Sequence, residues 1–390
     1  MGPLDGYNVV ELGHALAGPM AATFMADFGA DVIKVERTGA GDSLRAMGPQ
    51  AEGVGLWWLV AGRNKRSLVL DLKAREGIAI LRDLLEKADV LVENYRPGVM
   101  ERLGLSWEEV HKLNPRLVML SISGFGQTGP YSSRGGFGKI GEAFSGATNL
   151  TGHRDQAALH PGYSLGDAVC ALMGAFGVTM ALLSREKSGV GQLVDLALYE
   201  PLFRLIEWQL PMHVLAGLDV KRNGPRFPFQ EAFITDICQT SDGESIVVSA
   251  ATSDSIGRVH NLLLTKGILA APTTSTEEMT DALRVWVAQN SKQAVLDTFR
   301  EHNLVNGLVY TPTEMLDDPH MRARGNILQI PHPVLGSIPM PSVIPRLSAT
   351  PGAVHWPGPS LGQHTEEVLR GHLGYAADRV TDLRARGIIG

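Results

Sequence analysis

The sequence predicts an α/β protein whose larger domain is built on a mostly parallel, doubly wound sheet. An apolar run at 8–12, a helical segment at 19–28 and a second apolar run at 31–36 follow one another, which is the pattern of a βαβ unit. Short apolar strands joined by amphipathic helices continue over the next hundred residues, which is typical of parallel sheets covered on both faces. A change in composition between Leu210 and Pro228 indicates that a second domain begins there.

The remaining elements of the first domain are predicted in order along the chain. Strands are expected at 67–72, 89–93 and 117–121, with a helix at 74–86. Ser106 and Glu109 have the spacing of a capping box that opens a short helix. The uncharged run at 168–184 is shorter than a typical membrane span and follows Asp167 directly, so we expect a buried core helix there.

The second domain is expected to be a small α+β unit. A turn signal at 241–243 separates two strand-like runs at 233–238 and 245–250. Helical periodicity follows, at 253–263, 276–289 and 291–301. Prolines between 331 and 359 exclude long helices, and the tail from His364 is helical again.

Composition and charge exclude several classes of function. The chain has 390 residues, of which 44% are hydrophobic and 19% charged, as in ordinary globular proteins. Lys and Arg total 35 against 41 Asp and Glu, a net charge of −6, so nucleic acid is not an expected partner. Cys170 and Cys238 are far apart and match no metal-ligand spacing, and the first residues lack a secretory pattern. We therefore expect a cytoplasmic protein with no metal site and no membrane partner.

Two glycine motifs suggest chemistry, but their flanking sequences do not support it. Residues 124–129 match G-x-G-x-x-G, yet Pro130 follows rather than a helix, so we expect a Gly-rich loop at the sheet edge instead of a dinucleotide site. Residues 162–166 match the G-x-S-x-G elbow around Ser164, with a doubtful strand before it and no selected base, although His364 is one candidate. A serine hydrolase acting on thioesters remains an alternative.

Asp167 stands at the expected start of the long apolar helix. One interpretation is an N-cap, which accepts hydrogen bonds from first-turn amides. The other is catalytic: a helix N-terminus keeps a carboxylate ionised, and its amides can stabilise a developing oxyanion. An ionised carboxylate can attack an activated acyl group to form a mixed anhydride.

An acyl group carried by coenzyme A would require cations for the phosphates. Cationic candidates follow the early predicted strands, where open α/β sheets bind ligands: Arg37, Arg63, Lys65, Arg66, Lys73, Arg96 and Arg102. A solvated surface charge is the alternative for each of them. His14, in the loop after the first strand, is either a site residue or an ordinary loop histidine.

Several segments together resemble the class III CoA-transferase family, the superfamily of formyl-CoA transferase, carnitine CoA-transferase and alpha-methylacyl-CoA racemase. The matching segments are 11–19, 29–36, 64–67, 71–73, 89–98, 123–131, 188–192 and 357–365. Their joint occurrence in this order covers nearly the whole chain and is highly specific, whereas no single segment would be.

The resemblance implies a fold and an oligomeric state. Family members have a Rossmann-like large domain made from both chain ends, a small α+β middle domain and an interlocked homodimer. Residues 1–215, completed by 320–390, would then form the large domain, and residues 225–312 the small one.

The resemblance also implies a mechanism. Asp167 matches the nucleophilic aspartate, which forms an aspartyl anhydride with the acyl donor and then an aspartyl-CoA thioester, from which a free acid takes CoA. Coenzyme A and acyl-CoA are substrates, and no tightly bound cofactor is expected. The positions that match CoA contacts are His14, Ala17, Arg37, Leu70, Lys73, Asn94, Tyr95 and Arg102.

Departures from the family pattern narrow the range of expected reactions and substrates. The histidine of the racemases is replaced by Phe137, which disfavours two-base racemisation, although an acyl-CoA racemase or isomerase stays the alternative within the fold. Formyl-CoA transferases carry glycines before a small-domain glutamine, where this chain has Arg226-Phe227-Pro228-Phe229 before Gln230. Leu16 and Gly138 replace two further polar positions of those enzymes, so oxalate and formate are not expected substrates. Arg226 is a hypothetical partner for a second substrate carboxylate.

Overall fold

The chain separates into two compact units. The computed structural model describes residues 1–226, 228 and 232–390. The first unit comprises residues 1–145, 162–206 and 320–390, and the second comprises 146–161 and 207–319. The domain limits expected from the sequence stay a prediction. Phe227, Phe229 and Gln230, on which part of the formyl-CoA transferase comparison depends, lie outside the described residues.

The first unit is built on a six-stranded sheet in which every strand is parallel to its neighbours. The strands of the described residues are β1 (Asn8–Glu11), β2 (Asp31–Glu36), β3 (Gln50–Ala51), β4 (Val54–Gly55), β5 (Lys65–Val69), β6 (Val90–Glu93), β7 (Val118–Ser123), β8 (Leu193–Ala197), β9 (Ile234–Gln239), β10 (Ser245–Ala250), β11 (Asn306–Leu308), β12 (Ile327–His332) and β13 (Gly336–Pro341). The six strands lie in the order β5-β2-β1-β6-β7-β8. This is the Rossmann order, and it reverses direction between β1 and β6, where such sheets bind ligands.

Helices cover both faces of this sheet. The helices of the chain are α1 (Ala17–Asp27), α2 (Leu56–Ala61), α3 (Arg75–Lys87), α4 (Val99–Arg102), α5 (Trp107–Leu113), α6 (Gly138–Phe144), α7 (Ala147–Leu150), α8 (Leu165–Ser188), α9 (Glu200–Leu205), α10 (Gln209–Ala216), α11 (Ser253–Thr265), α12 (Thr276–Ala288), α13 (Lys292–Glu301), α14 (Pro312–Asp317), α15 (Pro319–Ala323), α16 (Thr365–Glu367) and α17 (Ala377–Ala385). Helices α1 and α8 contribute to one apolar core, and α3, α5 and α17 to the core on the other face. The predicted doubly wound sheet is therefore confirmed.

The predicted elements of the first unit are found with shifted ends. Strand β2 has the predicted limits, whereas β5 begins and ends earlier than expected and β7 continues to Ser123. Ser106 is the N-cap of α5 and its hydroxyl accepts a hydrogen bond from the Glu109 amide at 3.4 Å. The proline-rich region forms the antiparallel hairpin of β12 and β13, which the sequence did not predict.

The second unit is an antiparallel sheet packed against helices, as predicted. Strands lie in the order β11-β10-β9, with all pairs antiparallel. Val259, Leu262, Leu283 and Phe299 from α11, α12 and α13 form its buried core with the inward residues of β9 and β10.

Helix α8 is long and apolar enough to cross a membrane by length and composition alone, although only 39% of its most apolar window is buried. One face packs against α1, β7 and β8. The other face exposes large apolar side chains, at Leu172, Phe176, Met180 and Leu183. The predicted core helix is thus buried on one side only.

Candidate active site

Asp167 is the third residue of α8, in the first helical turn. Ser164 occupies the N-cap position and makes no capping hydrogen bond with its side chain. The N-cap interpretation of Asp167 is therefore wrong, because the residue lies inside the helix. Its half-buried carboxylate is directed at the start of α6 instead.

Two glycines make room for that carboxylate. A Cβ atom on Gly138 would lie 2.2 Å from Oδ2 of Asp167, so any side chain there would have to displace the carboxylate. A Cβ atom on Gly166 would lie 2.5 Å from the carbonyl oxygen of Gly138. The first turns of α6 and α8 therefore meet backbone to backbone, and the Asp167 carboxylate rests on Gly138.

Charged groups around Asp167 set its protonation. The buried Glu142 carboxylate accepts a hydrogen bond from the Gly166 amide at 3.0 Å and pairs with Lys139 Nζ at 3.0 Å. Burial, followed by the negative charge of Glu142, raises the pKa of Asp167 to about 6, against the opposing charge of Lys139. The sequence predicted that the helix N-terminus favours the ionised form, but burial and Glu142 outweigh that effect. At pH 7 the carboxylate is still mostly ionised.

A cavity of about 240 Å³ opens beside Asp167. The residues that line it include His14, Ala17, Asn94 and Tyr95, together with Arg96, Ser123, Arg134 and Phe137. The fold therefore brings four of the eight predicted CoA-contact residues to the predicted nucleophile. Phe137, at the position of the racemase histidine, lines the same cavity and has no titratable group.

The loops after β1 and β6 form one wall of this cavity. Asn94 Oδ1 accepts a hydrogen bond from the His14 amide at 2.7 Å, and Asn94 Nδ2 donates to the His14 carbonyl at 2.9 Å. The Tyr95 and His14 ring centroids lie 5.4 Å apart. Burial and the nearby Lys34 lower the pKa of His14, so its ring is neutral at pH 7. These contacts lie where the strand order reverses, at the expected ligand-binding position.

Four buried charged residues form an ion cluster that contacts the loop after β1. Lys34 Nζ lies 2.7 Å from both Glu11 and Asp42 and also donates to the Gly13 carbonyl. Lys65 Nζ lies 2.8 Å from Glu11, and all four side chains are fully buried. The sequence offered Lys65 as a phosphate-binding candidate, and that prediction is wrong because Lys65 is enclosed in this ion cluster.

Two neighbouring cation candidates are also engaged internally. Arg63 Nε donates to Asp27 at 2.9 Å, and Arg66 Nε donates to Asp31 at 2.8 Å. Arg63 is buried, and the side chain of Arg66 is 14% exposed. These arginines hold secondary-structure elements together and are not available for phosphates.

The remaining predicted CoA contacts lie at the same carboxyl edge of the sheet but outside the 240 Å³ cavity. Arg37 follows β2, is exposed, and donates from Nε to the Gly41 carbonyl at 3.0 Å. Leu70 is 1% exposed in the core, and Lys73 and Arg102 are exposed. Their predicted roles as CoA contacts stay predictions.

Arg226 belongs to an ion-pair network of the second unit. Its Nε lies 3.2 Å from Asp236, and its other nitrogen pairs with Asp281. Asp236 also accepts from Arg284 at 2.6 Å. The hypothesis that Arg226 binds a substrate carboxylate is therefore wrong, since its guanidinium already has two carboxylate partners.

Neither glycine motif has the structural context that its matching type of site requires, as the flanking sequences indicated. In the 124–129 loop, the Gln127 amide lies 3.1 Å from both Asp195 oxygens, so a carboxylate occupies the place of a bound anion. Residues 151–164 are all described and contain no strand, so Ser164 is not on a nucleophile elbow. His364, its candidate base, accepts a hydrogen bond from the Ser67 amide at 3.1 Å.

Polar groups on β6 and β7 were missed by the sequence analysis. Glu93 accepts a hydrogen bond from the Tyr95 amide at 2.8 Å and another from the Ser121 hydroxyl. Burial raises the pKa of Glu93 to about 7, and it lines a second cavity of about 450 Å³ that shares Arg96 with the first. Ser123 lines the first cavity, and its buried hydroxyl has no hydrogen-bond partner among the described residues. The sequence feature that could have identified Glu93 and Ser123 is their position at the carboxyl ends of β6 and β7, two central strands of the sheet.

Comparison with known proteins identifies the family. The model of CoA-transferase family III matches residues 4–365. The chain belongs to this family. A succinyl-CoA–D-citramalate CoA-transferase of Chloroflexus aurantiacus is 40% identical over 396 residues, covering 99% of this chain and 98% of that protein. The alpha subunit of a succinyl-CoA–L-malate CoA-transferase from Chloroflexus aurantiacus is 36% identical, covering 99% and 92%.

A solved structure supports the same assignment. A CAIB/BAIF family protein from Brucella suis superposes with a TM-score of 0.85 at 28% identity, covering 95% of this chain and 99% of that one. The family and the enzyme class predicted from the sequence are confirmed: the protein is a family III CoA-transferase, whose substrates include acyl-CoA.

Proposed function

We propose that this CoA-transferase moves CoA from an acyl-CoA to a free carboxylic acid through covalent intermediates on Asp167. The observation that carries the proposal is the position of Asp167 in the 240 Å³ cavity, between the His14 and Asn94 loops and the start of α6. Among the described side chains that line this cavity it is the one carboxylate, and it is mostly ionised at neutral pH.

The proposed reaction requires no general base, because the attacking group in each step is already an anion. A carboxylate oxygen of Asp167 attacks the thioester carbonyl, the C–S bond breaks, and CoA leaves as a thiolate. The thiolate then attacks the aspartyl carbonyl of the anhydride and releases the donor acid as a carboxylate. The acceptor carboxylate attacks the carbonyl of the aspartyl-CoA thioester, the C–S bond breaks, and CoA leaves again as a thiolate, which gives a second anhydride. The thiolate then attacks the acceptor's carbonyl in that anhydride, which frees Asp167 and the new acyl-CoA.

CoA is proposed to lie along the carboxyl edge of the sheet. The exposed cations Arg37, Lys73 and Arg102 would meet its phosphates. His14, Ala17, Asn94 and Tyr95 would contact the arm that carries the thioester into the cavity, and the Leu70 backbone would meet the nucleotide. In support, the His14 and Asn94 loops follow β1 and β6, the two strands at which the sheet order reverses.

Succinyl-CoA is the proposed donor, with a small dicarboxylic acid as acceptor. The relatives at 40% and 36% identity are named for succinyl-CoA together with D-citramalate or L-malate. Both acceptors in those names carry two carboxylates, so a dicarboxylate panel is the appropriate starting point for assays.

The active protein is proposed to be a homodimer. Leu172, Phe176, Met180 and Leu183 are between 44% and 58% exposed along α8. Their spacing places them on one side of the helix, and an apolar stripe of this kind is typical of a protein interface.

Two variants test the proposed chemistry. Asp167→Asn removes the nucleophile but keeps the shape, so we expect transfer from succinyl-CoA to fall by about 1,000-fold or more while CoA binding persists. Ser164→Ala is the matched control from the same helix terminus and should retain wild-type turnover.

The reverse pattern would indicate a serine hydrolase. Entry of solvent deuterium at the α-carbon of an acyl-CoA without any acceptor acid would instead indicate a racemase or isomerase. Either result would overturn the proposed function.

A further inference from the structure

The charge of the Asp167 cavity favours anionic substrates. Arg96 and Arg134 both line it, His14 is neutral, and Asp167 supplies the one negative charge among the lining side chains that the structure describes. Within the described residues, neither Arg96 nor Arg134 has a carboxylate within ion-pair distance. Other arginines near the sheet, such as Arg63, are paired internally. The cavity therefore contains more positive than negative charge.

The two guanidinium groups belong to loops that touch. Arg134 lies over the Tyr131 ring, with Cζ 3.7 Å from the ring centroid. Arg96 packs against the next residue of that loop, because a Cβ atom on Gly135 would lie 2.8 Å from its guanidinium nitrogen. Arg96 and Arg134 are exposed at the cavity, and both contact the 131–135 loop there. Within the described residues, neither of them pairs with an acid.

We propose that Arg96 and Arg134 form a subsite for the second carboxylate of a dicarboxylic substrate, either free or as its CoA thioester. The proposal rests on the proposed function, in which the first carboxylate reacts at Asp167. Arginine binds carboxylates through two parallel hydrogen bonds, which would fix the chain of the acid and present its other end to Asp167. Chain length between the two carboxylates would then determine which acids are accepted.

Equilibrium binding to the full-length protein tests this subsite separately from the covalent chemistry. Succinate and butyrate have the same chain length but differ by one carboxylate, and calorimetry in the presence of CoA gives the affinity for each. Arg96→Gln and Arg134→Gln are each expected to weaken succinate binding by about 10-fold or more, the loss typical of a charged hydrogen bond. Butyrate and CoA affinities should change by less than about 2-fold.

Arg379→Gln is the matched control. Arg379 lies over the Tyr375 ring at 3.5 Å, so the variant removes a similar arginine–tyrosine stack on α17, away from the lining of the cavity. It should leave the succinate affinity unchanged. The ratio of kcat/KM for succinyl-CoA to that for butyryl-CoA should fall in the two cavity variants only.

Several results would overturn the subsite. They are equal or undetectable binding of succinate and butyrate by the wild type, equal weakening of both acids in the variants, and weakening of CoA alone, which would assign the arginines to phosphates. Failure of the proposed function looks different, because Asp167→Asn would then keep full transfer activity whatever the acids bind.

Discussion

At the scale of single residues, the position of Asp167 in the fold exposes its carboxylate to opposing effects on its pKa. The N-terminus of α8 and Lys139 favour the ionised form, whereas burial and Glu142 favour the neutral one. The balance leaves the pKa near 6, above the usual range for aspartate. A carboxylate of higher pKa is a better nucleophile, and at pH 7 it is still available in its ionised form.

The pH dependence of the reaction follows from this balance. The attacking form is ionised, so the rate should fall as the pH drops through about 6, and at pH 5 about one tenth of the plateau rate should remain. Glu142→Gln removes the charge that raises the pKa of Asp167, so the acid limb should move to lower pH. Lys139→Gln removes the charge that lowers it, so the limb should move to higher pH. Profiles of kcat/KM for the three proteins measure the shifts, and shifts of the same sign in both variants would contradict the electrostatic explanation.

The sequence predicted Asp167 and His14 as site residues, and both line the 240 Å³ cavity, whereas several cations are paired internally. Lys65 and Arg66 stand next to each other in a basic segment, and nothing local shows that their partners Glu11 and Asp31 come from other strands. The pairing arises from sheet order, since β5 lies beside β2 and β2 beside β1. Arg96 and Arg134, by contrast, remain unpaired with acids in the described part of the chain, which only the folded cavity reveals.

At the scale of secondary-structure elements, the strongest constraint is the contact between the first turns of α6 and α8. The alternating strands and helices around the sheet were predictable, because each apolar run is short and each amphipathic helix has a clear period. The hairpin of β12 and β13 was not, since its strands contain prolines that usually mark loops. The contact between Gly138 and Gly166 was not predictable either, because the two residues are far apart in the sequence and nothing local indicates that they meet.

Gly138→Ala tests this contact. The added methyl group would lie 2.2 Å from Oδ2 of Asp167 and must displace it, so transfer activity should fall by about 100-fold, the loss expected for a misplacement of about 1 Å. Gly162→Ala is the control, because its Cβ atom would meet nothing within 4 Å. Steady-state kinetics and a melting curve for each variant separate lost activity from lost folding. Full activity of Gly138→Ala would show that the carboxylate has another productive position.

At the scale of the whole molecule, the strand order reverses between β1 and β6, which brings the His14 and Asn94 loops together. Helix α8 adds Asp167, the proposed nucleophile, from one face of the sheet. The family was predictable from the joint order of many short segments along the chain. The oligomeric state was not predictable from the residues alone. The sequence of α8 is apolar along most of its length, and only the fold shows which of its faces is buried and which is exposed.

The exposed face of α8 predicts how the molecule assembles. Phe176 is 58% exposed, and Phe176→Glu should shift the protein from dimer to monomer at micromolar concentrations because a charge would be buried in the interface. Lys187→Glu places the same residue at an exposed polar position near the end of the helix and should leave the mass unchanged. Light scattering after size exclusion measures both. A monomeric wild type, or a dimeric Phe176→Glu protein, would contradict the proposed assembly.

The central claim, covalent catalysis by Asp167, is tested most directly by peptide mass spectrometry after incubation with succinyl-CoA and hydroxylamine, which traps an activated aspartyl group as a hydroxamate. We expect a donor-dependent hydroxamate on the peptide that carries Asp167, and none when CoA replaces succinyl-CoA. Peptide fragmentation distinguishes Asp167 from Ser164, three residues before it. An unmodified Asp167 with active enzyme and donor, or a modification on Ser164 instead, would contradict the mechanism.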